Sequence, residues 1–85
     1  MYLHLGQDTV VSDSEVLGIF DLDTSTVSKT TRDYLSTAEK EKRVVNVSFE
    51  LPKSFVVCAE KSGVKVYLSP ISSSTLKKRM KNLSF

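Results

Sequence analysis

The sequence has one cysteine, Cys58, one histidine, His4, three glycines and no tryptophan. A single thiol excludes an intrachain disulfide. One imidazole and one thiol are too few to complete a structural zinc site within one chain. Gly6, Gly18 and Gly63 are too scattered to form a phosphate-cradling loop. No run approaches the roughly 20 apolar residues that span a bilayer. The opening Met1-Tyr2-Leu3-His4-Leu5-Gly6 lacks the basic and apolar regions of a secretory signal. A cytoplasmic protein is expected, in a reducing compartment that suits a lone thiol.

Groups able to converge on a reaction are equally scarce. His4 falls on a short strand at the N-terminus, where a surface or subunit-contact role is expected. Cys58 stands among Val56, Val57 and Ala59, and a thiol in apolar surroundings is held neutral and inert. Asp21 and Asp23 are two residues apart, a spacing that suits acid–base work or a hard cation. The stretch Asp21-Leu22-Asp23-Thr24-Ser25 nevertheless lacks the glycine and distal glutamate of a calcium loop, so strand-end capping fits better. Neither an enzyme nor a cofactor is expected.

Eighty-five residues make one domain, expected to span 1–85. A chain this short buries a modest share of its surface, and disulfides and metals have been excluded as supplements. Self-association is the remaining route to more core. The net charge of +2 conceals an asymmetry. Residues 1–28 hold five acidic residues and no base, giving −5, whereas residues 29–85 hold all 12 bases against five acids, giving +7. Such a split fits head-to-tail pairing of subunits, a face that attracts a polyanion, or merely an uneven solvated surface.

Tyr2–Leu5 reads as a short strand ended by Gly6, and Gln7-Asp8 turns the chain into Thr9–Val11. Val16–Leu22 is almost continuously apolar and is expected to be a strand buried on both faces. Asp23, Thr24, Ser25 and Thr26 are candidate N-caps for a helix running from Val27 to about Lys42. Val27, Thr31, Tyr34, Leu35 and Ala38 then share one helical face. Beyond Arg43 the period changes to two. Val45, Val47 and Phe49 alternate with Asn46 and Ser48, a half-buried strand closed by a turn at Pro52. Phe55–Ala59 is a central strand, Ser62-Gly63 a hairpin turn, and Val64, Val66 and Leu68 the return strand. The tail forms a short serine-capped helix with Leu76, Met80 and Leu83 on one face and Lys77, Lys78 and Lys81 on the other. The expected fold is α+β: a small antiparallel or mixed sheet of about five strands, one long helix and a short C-terminal helix.

Cations are the best-supplied chemistry. They group at Lys29, Arg32, Lys40, Lys42 and Arg43 on or after the long helix, at Lys53 in the Pro52 turn, and at Lys77, Lys78, Arg79 and Lys81 in the tail. Lysines and arginines spaced along a surface neutralise phosphates and release counterions, which gives sequence-independent affinity for DNA. Repetition in an oligomer multiplies weak contacts through effective concentration. Alternatively, the tail cations simply complement the dipole of their own helix.

Two stretches carry a resemblance. Met1–Val11 with Val16–Asp21 at one end, and Pro52–Val57 with Tyr67-Leu68-Ser69-Pro70-Ile71-Ser72-Ser73-Ser74-Thr75-Leu76-Lys77-Lys78-Arg79 at the other, resemble RemB-like members of the RemA/RemB family of extracellular matrix regulators of Bacillus-type bacteria. The resemblance implies a cytoplasmic regulator. RemA-type members are DNA-binding activators of biofilm-matrix operons that form ring-shaped oligomers. They carry two arginines in the loop before the central strand, where Glu50 and Leu51 stand here. Of the cations in that loop only Lys53 is kept, and one lysine does not fork a phosphate as arginine does. The expectation is an oligomeric, DNA-associated transcription regulator of extracellular-matrix genes. Lys53, Lys77, Lys78, Arg79 and Lys81 contact double-stranded DNA in that reading. The alternative is an oligomeric modulator that does not bind DNA and co-assembles with a DNA-binding paralogue.

Overall fold

The computed structural model describes residues 1–22 and 28–83. The candidate caps Asp23–Thr26, the helical position Val27 and the carboxylate of Asp23 lie outside the described residues, as does the side chain of Leu83. The elements are β1 (Tyr2–Gly6), β2 (Thr9–Ser12), a 3-10 turn (Asp13–Glu15), β3 (Val16–Asp21), α1 (Lys29–Lys40), β4 (Val44–Asn46), β5 (Ser54–Glu60), β6 (Gly63–Ser69) and α2 (Ser73–Leu83). The α+β class agrees with expectation, but the strands divide differently. β1 and β2 form a separate hairpin, and the other four make a mixed sheet in the order β3-β5-β6-β4. β4 runs parallel to its neighbour, β6, and the other pairings among the described residues are antiparallel.

Alternation along the central strands sorts side chains onto two faces. Val56, Cys58 and Tyr67 point to one side, where Leu3, Leu5 and Val11 of the hairpin and Leu76 of α2 cover them. Phe55 and Val66 point to the other, beneath Ala38, Tyr34 and Leu35 of α1. The sheet is therefore sandwiched between the hairpin with α2 and α1. Leu3, Leu5 and Leu76 are essentially inaccessible, and full burial of each such side chain contributes roughly 1.5–3 kcal/mol. The hairpin turn requires glycine: Gly6 has φ +125, and a Cβ there would sit 3.3 Å from Val47 and 3.4 Å from Pro70. A buried hydrogen bond from Ser69 Oγ to Leu5 O, 2.6 Å long, joins the hairpin to β6.

The helices Lys29–Lys40 and Ser73–Leu83 among the described residues have 12 and 11 residues, not one long and one short. α1 starts late because Ser28 caps it, its side chain accepting from the Thr31 amide. It ends early because Lys42 takes a left-handed φ of 60. Arg43 N then bonds to Ala38 O and Lys42 N to Glu39 O, the paired closure that usually recruits glycine. The helical face expected from Thr31, Tyr34, Leu35 and Ala38 is the one turned to the sheet.

Two strands depart from expectation. β3 is an edge strand, and it is not buried on both faces: Leu17 and Phe20 are exposed. The register passes from Val16↔Cys58 to Gly18↔Val57, leaving Leu17 as the extra residue of a bulge. Phe20 stacks on Phe55 with ring centroids 4.9 Å apart and packs over Gly18. The strand expected over 45–49 stops at Asn46. Val47 is buried and bonds to Leu68 O, but Phe49 is fully exposed. Ser48 Oγ accepts the Glu50 amide at 2.9 Å, a local turn that competes with the ladder and breaks the alternation.

Cys58 is buried, and desolvation first, then the charges of Glu60 and Glu15, push its thiol up to about 11 from an ordinary value of 9.0. Burial and the hydrogen bond it donates to Glu60 push the Tyr67 phenol up as well. Both folded values are raised, so the associated stability is intact below the unfolded values and is lost as pH rises towards the folded ones. Between pH 8 and 10.5 the thiol alone is expected to cost up to about 2 kcal/mol of stability. Urea unfolding at the two pH values checks this: Cys58→Ala should lose measurably less stability across the interval than the native chain. Equal losses would show that Cys58 does not contribute.

Candidate nucleic-acid interface

Lys53 lies in the segment between β4 and β5, and its backbone is clamped on both sides. Its amide donates to Ser69 O at 2.8 Å and its carbonyl accepts from Leu22 N at 3.1 Å. Ser54 Oγ next to it donates to Ile71 O at 2.7 Å. These bonds hold Lys53 at the end of the sheet from which the chain enters α2, while its side chain remains exposed. Preceding it, Phe49, Glu50 and Leu51 all face solvent.

α2 is capped as expected by a serine: Ser72 Oγ accepts the Thr75 amide at 3.3 Å. Leu76 and Met80 dock against the hairpin side of the sheet, and the helix packs on β1 and β3. Lys77, Lys78 and Lys81 are exposed and make no ion pair among the described residues. Docked and presented faces thus divide as the apolar spacing implied.

Arg79 does not belong with the lysines. Its Nη1 donates to the His4 carbonyl at 3.1 Å, tying α2 to β1. The two residues lie on a small groove of about 290 Å³ lined by Tyr2, Leu3, His4, Arg79 and Asn82. His4 Nε2 lies 2.7 Å from Gln7 O. A carbonyl only accepts, so Nε2 carries the proton and the imidazole is held against its own turn. Tyr2, His4 and Asn82 were not expected at this site. The alternation of β1 did imply that Tyr2 and His4 turn away from the core, but nothing local shows that α2 lies beside them.

Of the remaining cations Lys29, Arg43 and Lys65 are ion-paired, whereas Arg32, Lys40, Lys42 and Lys61 make no ion pair among the described residues. Lys29 pairs with Asp33 at 3.2 Å, and Arg43 pairs with Glu41 at 2.7 Å, lies over the Tyr34 ring and reaches Val64 O. The hydrogen bond with Glu41, and then the nearby Tyr34 phenol, raise the Arg43 pKa. Among the described residues no three of His, Cys, Asp and Glu are grouped to hold a metal ion, and no helix is long and apolar enough to cross a membrane.

The chain belongs to the RemA-like family: the model of that family, Extracellular matrix regulatory protein A-like, matches residues 2–80. The family is one of regulators, and its RemB-like branch is the relevant one. The chain is 44% identical over 79 residues to Extracellular matrix regulatory protein B of Bacillus subtilis strain 168, which covers 93% of this chain and 89% of that protein.

Proposed function

We propose that this chain is a DNA-associated transcription regulator of extracellular-matrix and biofilm genes that acts as an oligomer in the cytoplasm. Phosphate contacts come from Lys53 and from Lys77, Lys78, Arg79 and Lys81. The observation that carries the reading is α2 itself, a helix anchored by Leu76 that holds three lysines exposed and without ion pairs among the described residues. Cations already spent on internal pairs, such as Lys29, would have to break them first; these do not. Assembly of the 1–85 domain is supported by the open edge at β3 with Leu17 and Phe20 exposed. Repeating one weakly binding helix around a ring gives the affinity that a single copy lacks.

The test is binding to promoter-length duplex DNA across a salt series, with oligomeric mass measured in parallel. Affinity is expected to fall steeply between about 50 and 200 mM salt, as counterion release requires. Lys53→Glu should weaken binding while the mass stays unchanged, and unaltered affinity would remove that loop from the site. A multimer that ignores DNA even at low salt would refute the proposal.

The exposed Phe49 and Leu51 favour a second reading. In the loop where RemA-type members carry arginines, an apolar pair flanking Glu50 suits a protein contact, as in a modulator that co-assembles with a DNA-binding paralogue. A partner retained in pull-downs after nuclease treatment supports this adaptor, whereas one released by nuclease returns the choice to DNA.

A further inference from the structure

We infer that the groove between β1 and α2 is a built subsite for one backbone phosphate of duplex DNA, gripped by Arg79 and Asn82. The inference rests on the DNA-binding reading above and divides its basic residues into two kinds. Lys78 and Lys81 are flexible point charges. Arg79 is a planar fork whose direction is set by the 3.1 Å bond to the His4 carbonyl. A guanidinium has five N–H donors, so one spent on that carbonyl leaves the rest for an oxygen-rich ligand.

Helix geometry places the groove at the end of a continuous polar arc. At about 100° per residue, Lys81, Lys78, Asn82 and Arg79 follow one another around about 160° of the α2 surface. A strand of phosphates crossing the helix therefore meets the two lysines first and then enters the groove. There Asn82 and Tyr2 line the wall beside Arg79. The imidazole of His4 gives no donor towards the ligand when neutral, because its proton is directed at Gln7 O. The contribution of His4 is its carbonyl, which makes it a positioning residue. A volume of about 290 Å³ accommodates a phosphate with its adjoining sugar, and the arginine fork suits phosphate oxygens better than an ammonium does.

The experiment compares duplex DNA binding of Arg79→Gln, Arg79→Lys, Asn82→Asp and a control, Lys40→Gln on α1, in the salt series, with melting temperatures measured alongside. Arg79→Gln should lose about 10-fold in affinity and flatten the log–log salt dependence by about 0.9 for each protomer that contacts DNA. Arg79→Lys should keep the salt slope, since the charge remains, yet lose several-fold in affinity because the fork is gone. Asn82 is exposed and makes no side-chain hydrogen bond among the described residues, so Asn82→Asp decides the matter if the arginine variants melt early; it should weaken binding several-fold. Arg79→Lys and Asn82→Asp binding like the native chain and the control would overturn the subsite while leaving the DNA reading intact. A native chain that ignores DNA at 50 mM salt would overturn both.

Discussion

Leu76→Ala is expected to lower stability by about 3 kcal/mol, because the cavity left beneath α2 adds to the lost transfer free energy. Leu76 is fully buried and lies in the same cluster as Leu3, Leu5, Val56 and Cys58. A small domain has roughly 0.05–0.15 kcal/mol per residue in total, so the loss is a large part of the whole. Thermal melting should fall by more than about 10 °C. The functional consequence follows from the layering. α2 covers the hairpin side of the sheet through Leu76 and Met80, so loosening it removes both core cover and the platform for the lysines. DNA affinity should fall with warming in step with unfolding and return towards the native value when cooled. A variant that melts like the native chain would show that α2 is not docked through Leu76.

Reversing two presented charges should do the opposite. Lys78→Glu with Lys81→Glu is expected to reduce DNA affinity by about 100-fold or more, since each change removes a phosphate contact and adds repulsion. Stability should stay within about 0.5 kcal/mol of the native value, as expected for exposed residues away from caps and core. Neither lysine makes an ion pair among the described residues, so no partner is left stranded. Fluorescence-anisotropy titration and thermal melting on the same samples read both quantities. Unchanged affinity in the double variant would exclude the presented face of α2 from any nucleic-acid contact. Together the two substitutions separate what holds the helix from what the helix offers.

The fold was legible where a local period decides it. The spacing of Thr31, Tyr34, Leu35 and Ala38 located the buried face of α1, and Leu76 with Met80 did the same for α2. The burial of Cys58 and the hairpin turn at Gln7-Asp8 also followed from neighbouring residues, and the turn expected at Ser62-Gly63 falls one residue earlier, at Lys61-Ser62, with Gly63 opening β6. Alternation misled at the edges. Phe49 matched the period of Val45 and Val47 and is nevertheless fully exposed, because a side chain–backbone bond from Ser48 ended the strand first. Leu17 looked like core and is the extra residue of a bulge whose register β5 sets.

The sequence by itself determined the α+β class and the serine-capped basic helix with its apolar and charged faces. Hydrophobic periodicity and residue chemistry are properties of adjacent positions, and they survive in one dimension. Only the tertiary structure decided that Arg79 meets His4, 75 residues away, and that Lys53 is clamped between Leu22 and Ser69. Those juxtapositions depend on strand order and on which face of the sheet each helix covers. They are fixed by the packing of distant apolar side chains, so no local pattern contains them.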